Sequence, residues 1–199
     1  MKGKLRYTLK DIKALSNENP RMYPVLKTEY LEKVKPGCIV KLIIERNHDK
    51  IFYKVLKSDD RILVRVIGCE NDKITGVIIF GAEDKIVRKH IEFGYNNILF
   101  VYENESKVVD FNKYVAISNK ALKFNQINWV FKSTPLDSKD SGWQLFYGDE
   151  DNEYIRDSSN IKMITMAEAL KKEPLLEYVF VEKIENAEYS SRVNKFLLI

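Results

Sequence analysis

The chain has 199 residues, of which 45% are hydrophobic and 31% charged, with a net charge of +4, two cysteines and two histidines. That composition supports one large domain or two small ones and excludes wholesale disorder, a disulfide scaffold and the usual zinc constellations. A basic opening with no apolar core behind it, and no apolar run of membrane-spanning length, predict a soluble, cytoplasmic protein with reduced cysteines and no membrane partner.

Leu9, Ile12 and Leu15 fall at helical spacing after Thr8, a residue suited to an N-cap, and predict a short opening helix that residues 17–20 end. Residues 28–33 can form another turn of helix. Lys35-Pro36-Gly37 then signals a turn that delivers the chain into a core strand over residues 38–44. Three β-rich runs follow, at 51–56, 61–67 and 74–80, and their short polar spacers favour antiparallel hairpins. Residues 98–102 are expected to close this first sheet.

The polar segment Glu103-Asn-Glu-Ser-Lys107 reads as a linker, so the predicted domains are 1–103 and 108–199. In the second, 114–117, 127–131 and 143–147 read as strands, with 133–141 a polar, proline-containing loop. Thr165 and Glu168 form a capping box for a helix through Met166, Ala169 and Leu170, which Pro174 breaks. The tail from Tyr189 to Ile199 can supply one last strand. The predicted fold class is α+β, mostly antiparallel sheets with a few short helices in two small subdomains.

Charge is unevenly placed. Residues 1–60 hold 14 Lys and Arg against 8 Asp and Glu, whereas residues 137–160 hold 2 against 7. The lysines are dispersed among acids and form no basic stripe, so nucleic acid is not an expected partner. Asp149, Glu150, Asp151 and Glu153 directly follow the apolar run Trp143-Gln-Leu-Phe-Tyr147, with Gly148 freeing the backbone to turn between them. Carboxylates this close repel one another, so they must be well solvated, matched by cations, or reserved for a basic partner.

No catalytic or metal constellation emerges. Asp149, Asp151 and Glu153 fit the first three oxygen positions of an EF-hand loop, but Tyr154 stands where that loop needs glycine and Asn160 where it needs the bidentate glutamate. Adjacent acids on one turn do not supply the raised pKa that a glycosidase acid requires. Cys38 and Cys69 lie in or beside apparent strands, His48 in an apparent hairpin loop, and His90 next to Arg88 and Lys89, which discourage its protonation. The eight glycines are scattered singly, so no phosphate-cradling loop forms and no cofactor is expected. Trp129 reads chiefly as a core anchor, while Trp143 stands beside the acidic turn and is less clearly so.

At these residues the chain resembles a known family. Tyr114-Val-Ala-Ile-Ser-Asn119, Ser141-Gly-Trp143, Gly148-Asp-Glu-Asp-Asn-Glu-Tyr154 and Asn160-Ile161 are similar to the bacterial family first called domain of unknown function 2185 and later immunity protein 33. The resemblance covers about residues 112–196. Where that family often has a glycine-rich hairpin after the first strand, this chain has Lys120-Ala-Leu-Lys-Phe124. Lys35-Pro-Gly37, Val40-Lys-Leu42, the run from Leu63 to Val66 and Gly76-Val77 resemble, less specifically, domain of unknown function 2314.

The resemblance implies an immunity protein that neutralises a cognate polymorphic toxin by binding it, and brings no catalytic residue. Trp143, Tyr147, Asp149, Glu150, Asp151, Glu153 and Tyr154 are the expected partner-binding residues, with a protein toxin as the partner. Two other readings stay open. One is a small-ligand-binding protein or hydrolase with its site at the junction of the halves; the other is a structural or regulatory domain with no toxin partner.

Overall fold

Alternating strands and short capped helices produce an α+β fold built, among the described residues, on two six-stranded sheets. The computed structural model describes residues 7–46, 59–81 and 86–199. The chain divides into two units, Met1–Val108 and Val109–Ile199. The expected strand at 51–56 and the loop position of His48 lie outside the described residues.

In the first unit, β1 (Tyr7–Leu9), β2 (Ile39–Arg46), β3 (Asp59–Glu70), β4 (Lys73–Phe80) and β5 (His90–Phe93) follow one another across the sheet. Every pairing is antiparallel. The β3–β4 hairpin turns on Asn71 and Asp72, both at positive φ, as a two-residue turn between right-twisted strands requires. β2 reads as a nearly unbroken apolar run because both of its faces are buried. Val40, Leu42 and Ile44 join the main core, while Ile43 packs on the other side with Ile12 and Leu99.

Two expectations change here. The opening helix, α1 (Ile12–Glu18), is capped by Asp11, whose carboxylate accepts from the Ala14 N–H at 3.0 Å; Thr8 instead belongs to β1, opposite Glu45. The strand at 98–102, β6 (Ile98–Tyr102), does not close the sheet. It pairs with the front half of β2, on the side that β1 occupies along the rear half. The short helix at 28–33 is α2 (Thr28–Leu31).

The second unit has strand order β10-β7-β9-β8-β11-β12. Its strands are β7 (Tyr114–Ser118), β8 (Trp129–Lys132), β9 (Asp140–Phe146), β10 (Ile161–Thr165), β11 (Asn186–Ser190) and β12 (Lys195–Leu198). β7 and β9 run parallel, with the other pairs antiparallel. The helices are α3 (Asn119–Phe124), α4 (Asn152–Arg156), α5 (Met166–Lys172) and α6 (Leu176–Glu182). Period-two alternation sends Val115, Ile117, Val130 and Leu145 to one face, where they meet Leu170 of α5 and Val179 of α6.

The capping box on α5 forms as its sequence dictates. Thr165 Oγ1 accepts from the Glu168 N–H at 3.2 Å, and the Glu168 carboxylate accepts from the Thr165 N–H at 2.8 Å. The expected single tail strand is a hairpin of β11 and β12, with Asn194 in the left-handed region at its turn. Pro174 ends α5, and α6 starts almost at once after it. Among the described residues, no helix is long and apolar enough to cross a membrane.

Candidate functional site

The Ser141-Gly-Trp143 stretch is a local distortion of β9. Gly142 sits at φ +75, and a Cβ there would lie 2.3 Å from the Ser133 carbonyl oxygen, so both conformation and space demand glycine. The Gly142 carbonyl in turn accepts from the Ser133 N–H at 2.8 Å. The pairing of β9 with β7 shifts across this point, from Tyr114 opposite Asp140 to Ala116 opposite Gln144. The shift inserts two residues, so alternation is kept and Trp143 shares the helix-side face of Leu145.

Trp143 is consequently a core residue. It is 4% exposed, its ring centroid lies 5.1 Å from that of Phe180, and the Lys132 ammonium sits 4.6 Å above its face. Lys132 also donates to the Ser141 carbonyl. Burial, followed by the nearby Lys113, lowers the Lys132 pKa. Trp143, expected among the partner-binding residues, packs inward on the face it shares with Leu145.

The four acids that follow have four different surroundings. Asp149 pairs with Lys120 at 2.8 Å, and this contact raises the Lys120 pKa. Glu150 folds back over its own turn. Its carboxylate accepts from the backbone N–H groups of Tyr147 at 2.8 Å, Gly148 at 2.7 Å and Asp149 at 3.2 Å, and from the Ser118 hydroxyl. Burial pushes the Glu150 pKa up, but the Ser118 hydroxyl and the backbone donors outweigh it and leave the pKa below its ordinary value.

Asp151 caps α4 by accepting from the Tyr154 N–H at 2.8 Å. Glu153 is exposed in the first turn of that helix, where a negative charge suits the helix dipole. Both oxygens of Glu150, expected among the partner-binding acids, are engaged within the turn and with Ser118. Asp149, Asp151 and Glu153 remain exposed.

Tyr147 and Tyr154 are half-buried beside the acids. The Tyr147 ring lies 4.9 Å from that of Phe124, which is exposed, and the Lys120 ammonium sits 5.7 Å from the Tyr154 ring. Gly148, at φ +108, makes the reversal between Tyr147 and the acids. The sequence reading missed Ser118, Lys120 and Asn128 as builders of this site. Asn128 Nδ2 donates to the Tyr147 carbonyl at 2.7 Å. Only their places at the end of β7, at the start of α3 and just before β8 hint at these contacts.

A strand–helix–strand frame thus carries a glycine-enforced shift and a self-capped acidic turn between residues 114 and 161. Residues 115–196 match the family model of the Immunity protein Imm33 domain. The resemblance drawn from Tyr114–Asn119, Ser141–Trp143 and Gly148–Tyr154 is borne out over nearly the same residues. Within the Imm33 match, Gly142, Gly148, Glu150 and Asp151 build the fold around Trp143. Neither a curated protein nor a solved structure matches the chain. Among the described residues, no group of three or more His, Cys, Asp or Glu could hold a metal ion. Cys38 is buried and Cys69 half-buried, and burial raises both thiol pKa values.

Proposed function

We propose that this chain is an immunity protein that neutralises a cognate toxin by binding it, with no chemistry of its own. The match of residues 115–196 to an immunity domain carries the reading. The Asp149, Asp151 and Glu153 carboxylates project from a turn braced by Glu150, a preorganised negative surface that would steer a basic partner toward it. Tyr147 and Tyr154 supply aromatic area at its edge.

The deciding experiment is co-expression with the product of a neighbouring gene that arrests growth when expressed alone. Rescue by this chain, with a complex recovered from the purified pair, supports neutralisation by binding. Failure to rescue against every neighbouring toxic product would remove it.

A small-ligand reading has one observation in its favour. A cavity of about 190 Å³ in the first unit is lined by Leu9, Ile44, Ile62, Ile78 and Ile91, with Tyr7 and Glu92 as polar members. Such a lining suits an apolar molecule and, among the described residues, contains no Ser, Thr, Cys, Lys or His. This cavity is lined by residues of the first unit alone.

A further inference from the structure

The side of the C-terminal sheet opposite the α5 and α6 core carries an aromatic surface. Strand register aligns Met163, Ala116, Gln144, Phe131 and Asn186 in one row across five strands. None of these five belongs to the core cluster on the helix side. Phe131 is 39% exposed and Met163 52%, so this row meets solvent on β8 and at its β10 end.

Trp129 precedes Phe131 by two residues on β8 and therefore shares its face. Its indole stacks on buried Phe146 at 4.8 Å, and its Nε1–H donates to Asn186 Oδ1 at 2.8 Å. The ring is held from below and from the side, so little side-chain entropy is left to lose on contact with another molecule. A contiguous aromatic patch on a rigid sheet has the character of an interaction site.

The charge beside this patch identifies what it fits. Ser118 follows Tyr114 and Ala116 on the same face of β7, and Glu150 covers it. The acidic turn therefore borders one end of the aromatic face. Residues 149–157 hold five carboxylates against one arginine, and the Lys120 ammonium paired with Asp149 offsets one more, which leaves a negative excess. Hydrogen bonds inside the turn leave those charges in place, so the field at that border is negative. We propose that this face, centred on Trp129 and Phe131 and bordered by the acidic turn, is the docking surface for the toxin. The partner is a protein presenting an apolar patch flanked by lysines or arginines. This rests on the immunity reading and locates the contact within it.

The test uses the full chain and the purified neighbouring-gene product whose toxicity it suppresses. Phe131→Thr/Met163→Thr keeps β-forming residues on both strands, and Lys171→Glu on the exposed side of α5 is the control. Circular dichroism and thermal melting verify that each variant is folded. The expected result is a Kd raised at least about tenfold by the double substitution, with growth rescue reduced and the control unchanged. Equal binding by the folded double variant overturns the proposed face while the immunity reading stands. Dimerisation of the wild type that the double variant abolishes, with toxin binding intact, assigns the face to a second copy and also overturns it. If the wild type neutralises and binds no neighbouring toxin, both readings fall together.

Discussion

The Ser118 hydroxyl donates to the Glu150 carboxylate while accepting from the Ala121 N–H at 2.9 Å, so one residue caps α3 and ties the end of β7 to the acidic turn. Glu150 completes the link by gathering three successive backbone donors. A carboxylate in the middle of a like-charged run thereby holds a helix start, a strand end and a reversal together. Its neighbours are left to face outward.

Replacing Glu150 with glutamine should destabilise the protein, because an amide has one acceptor oxygen and would set a donor against backbone N–H groups. The expected loss is about 1–3 kcal/mol, read from urea denaturation. Ser118→Ala removes both the cap and the tie and should lose about 1–2 kcal/mol. The double substitution should lose less than the sum, since both changes break one network. Additive losses would show that the tie contributes nothing.

Acid sensitivity follows from the same carboxylate. Its folded pKa is depressed, so its contribution is fully present above its ordinary value of about 4.5 and is lost as pH falls through the lower folded value. Glu168, Asp137 and Asp157 are depressed too, each by hydrogen bonds to its carboxylate, and give slopes of the same sign. Stability measured from neutral pH downward should therefore decline below about pH 4.5, and Glu150→Gln should flatten that decline without abolishing it. An acid limb unchanged by the substitution would contradict this role.

Glycine 142 offers a sharper structural test. Alanine there would combine an unfavourable backbone conformation with a Cβ 2.3 Å from the Ser133 carbonyl. The expected destabilisation is at least about 1–3 kcal/mol from the conformation alone, with the overlap added to it. Trp143→Ala should also be severe, about 3–5 kcal/mol, because the cavity would open against Phe180 in the core. A mild effect at Trp143 would return that residue to the candidate contact surface.

Much of the framework was legible because its signals are local. Period-two alternation marks β7 and the end of β9, Thr165 and Glu168 mark the start of α5, and the Asn71-Asp72 pair marks a tight hairpin. What escaped notice depends on partners distant in sequence. α3 begins on Ser118, which looks like an ordinary strand residue until Glu150 meets it. α6 was hidden because Pro174 reads as a breaker, although its carbonyl accepts the Glu177 N–H at 3.1 Å and so helps begin the next helix. β5 has four residues and too little alternation to announce itself.

The candidate site was legible in place but not in role. Crowded carboxylates were expected to be solvated, matched by cations or kept for a partner; Asp149 meets Lys120, while Glu150 and Asp151 bind backbone donors. Such self-capping needs the reversal at Gly148 to aim successive N–H groups at one side chain, and no spacing rule encodes that. The inward placement of Trp143 follows from its alternation with Leu145, whereas the bulge at Gly142, packed against the Ser133 carbonyl, has no such local signal.

The charge hypothesis can be tested only at acids whose loss leaves the turn intact. Neutralising Asp149, Glu150 and Asp151 together would remove the brace and the α4 cap, so weakened binding by that variant would not separate recognition from unfolding. Asp149→Asn/Glu153→Gln avoids both. It should leave the stability from urea denaturation within about 0.5 kcal/mol of wild type, since Asp149 and Glu153 are both exposed. Against a purified basic toxin, the association rate should fall several-fold at low ionic strength, the dissociation rate should change little, and the salt dependence of association should become shallower. Unchanged association kinetics in the folded variant would remove Asp149 and Glu153 from recognition and leave the aromatic face of the sheet to account for binding without electrostatic steering from this turn.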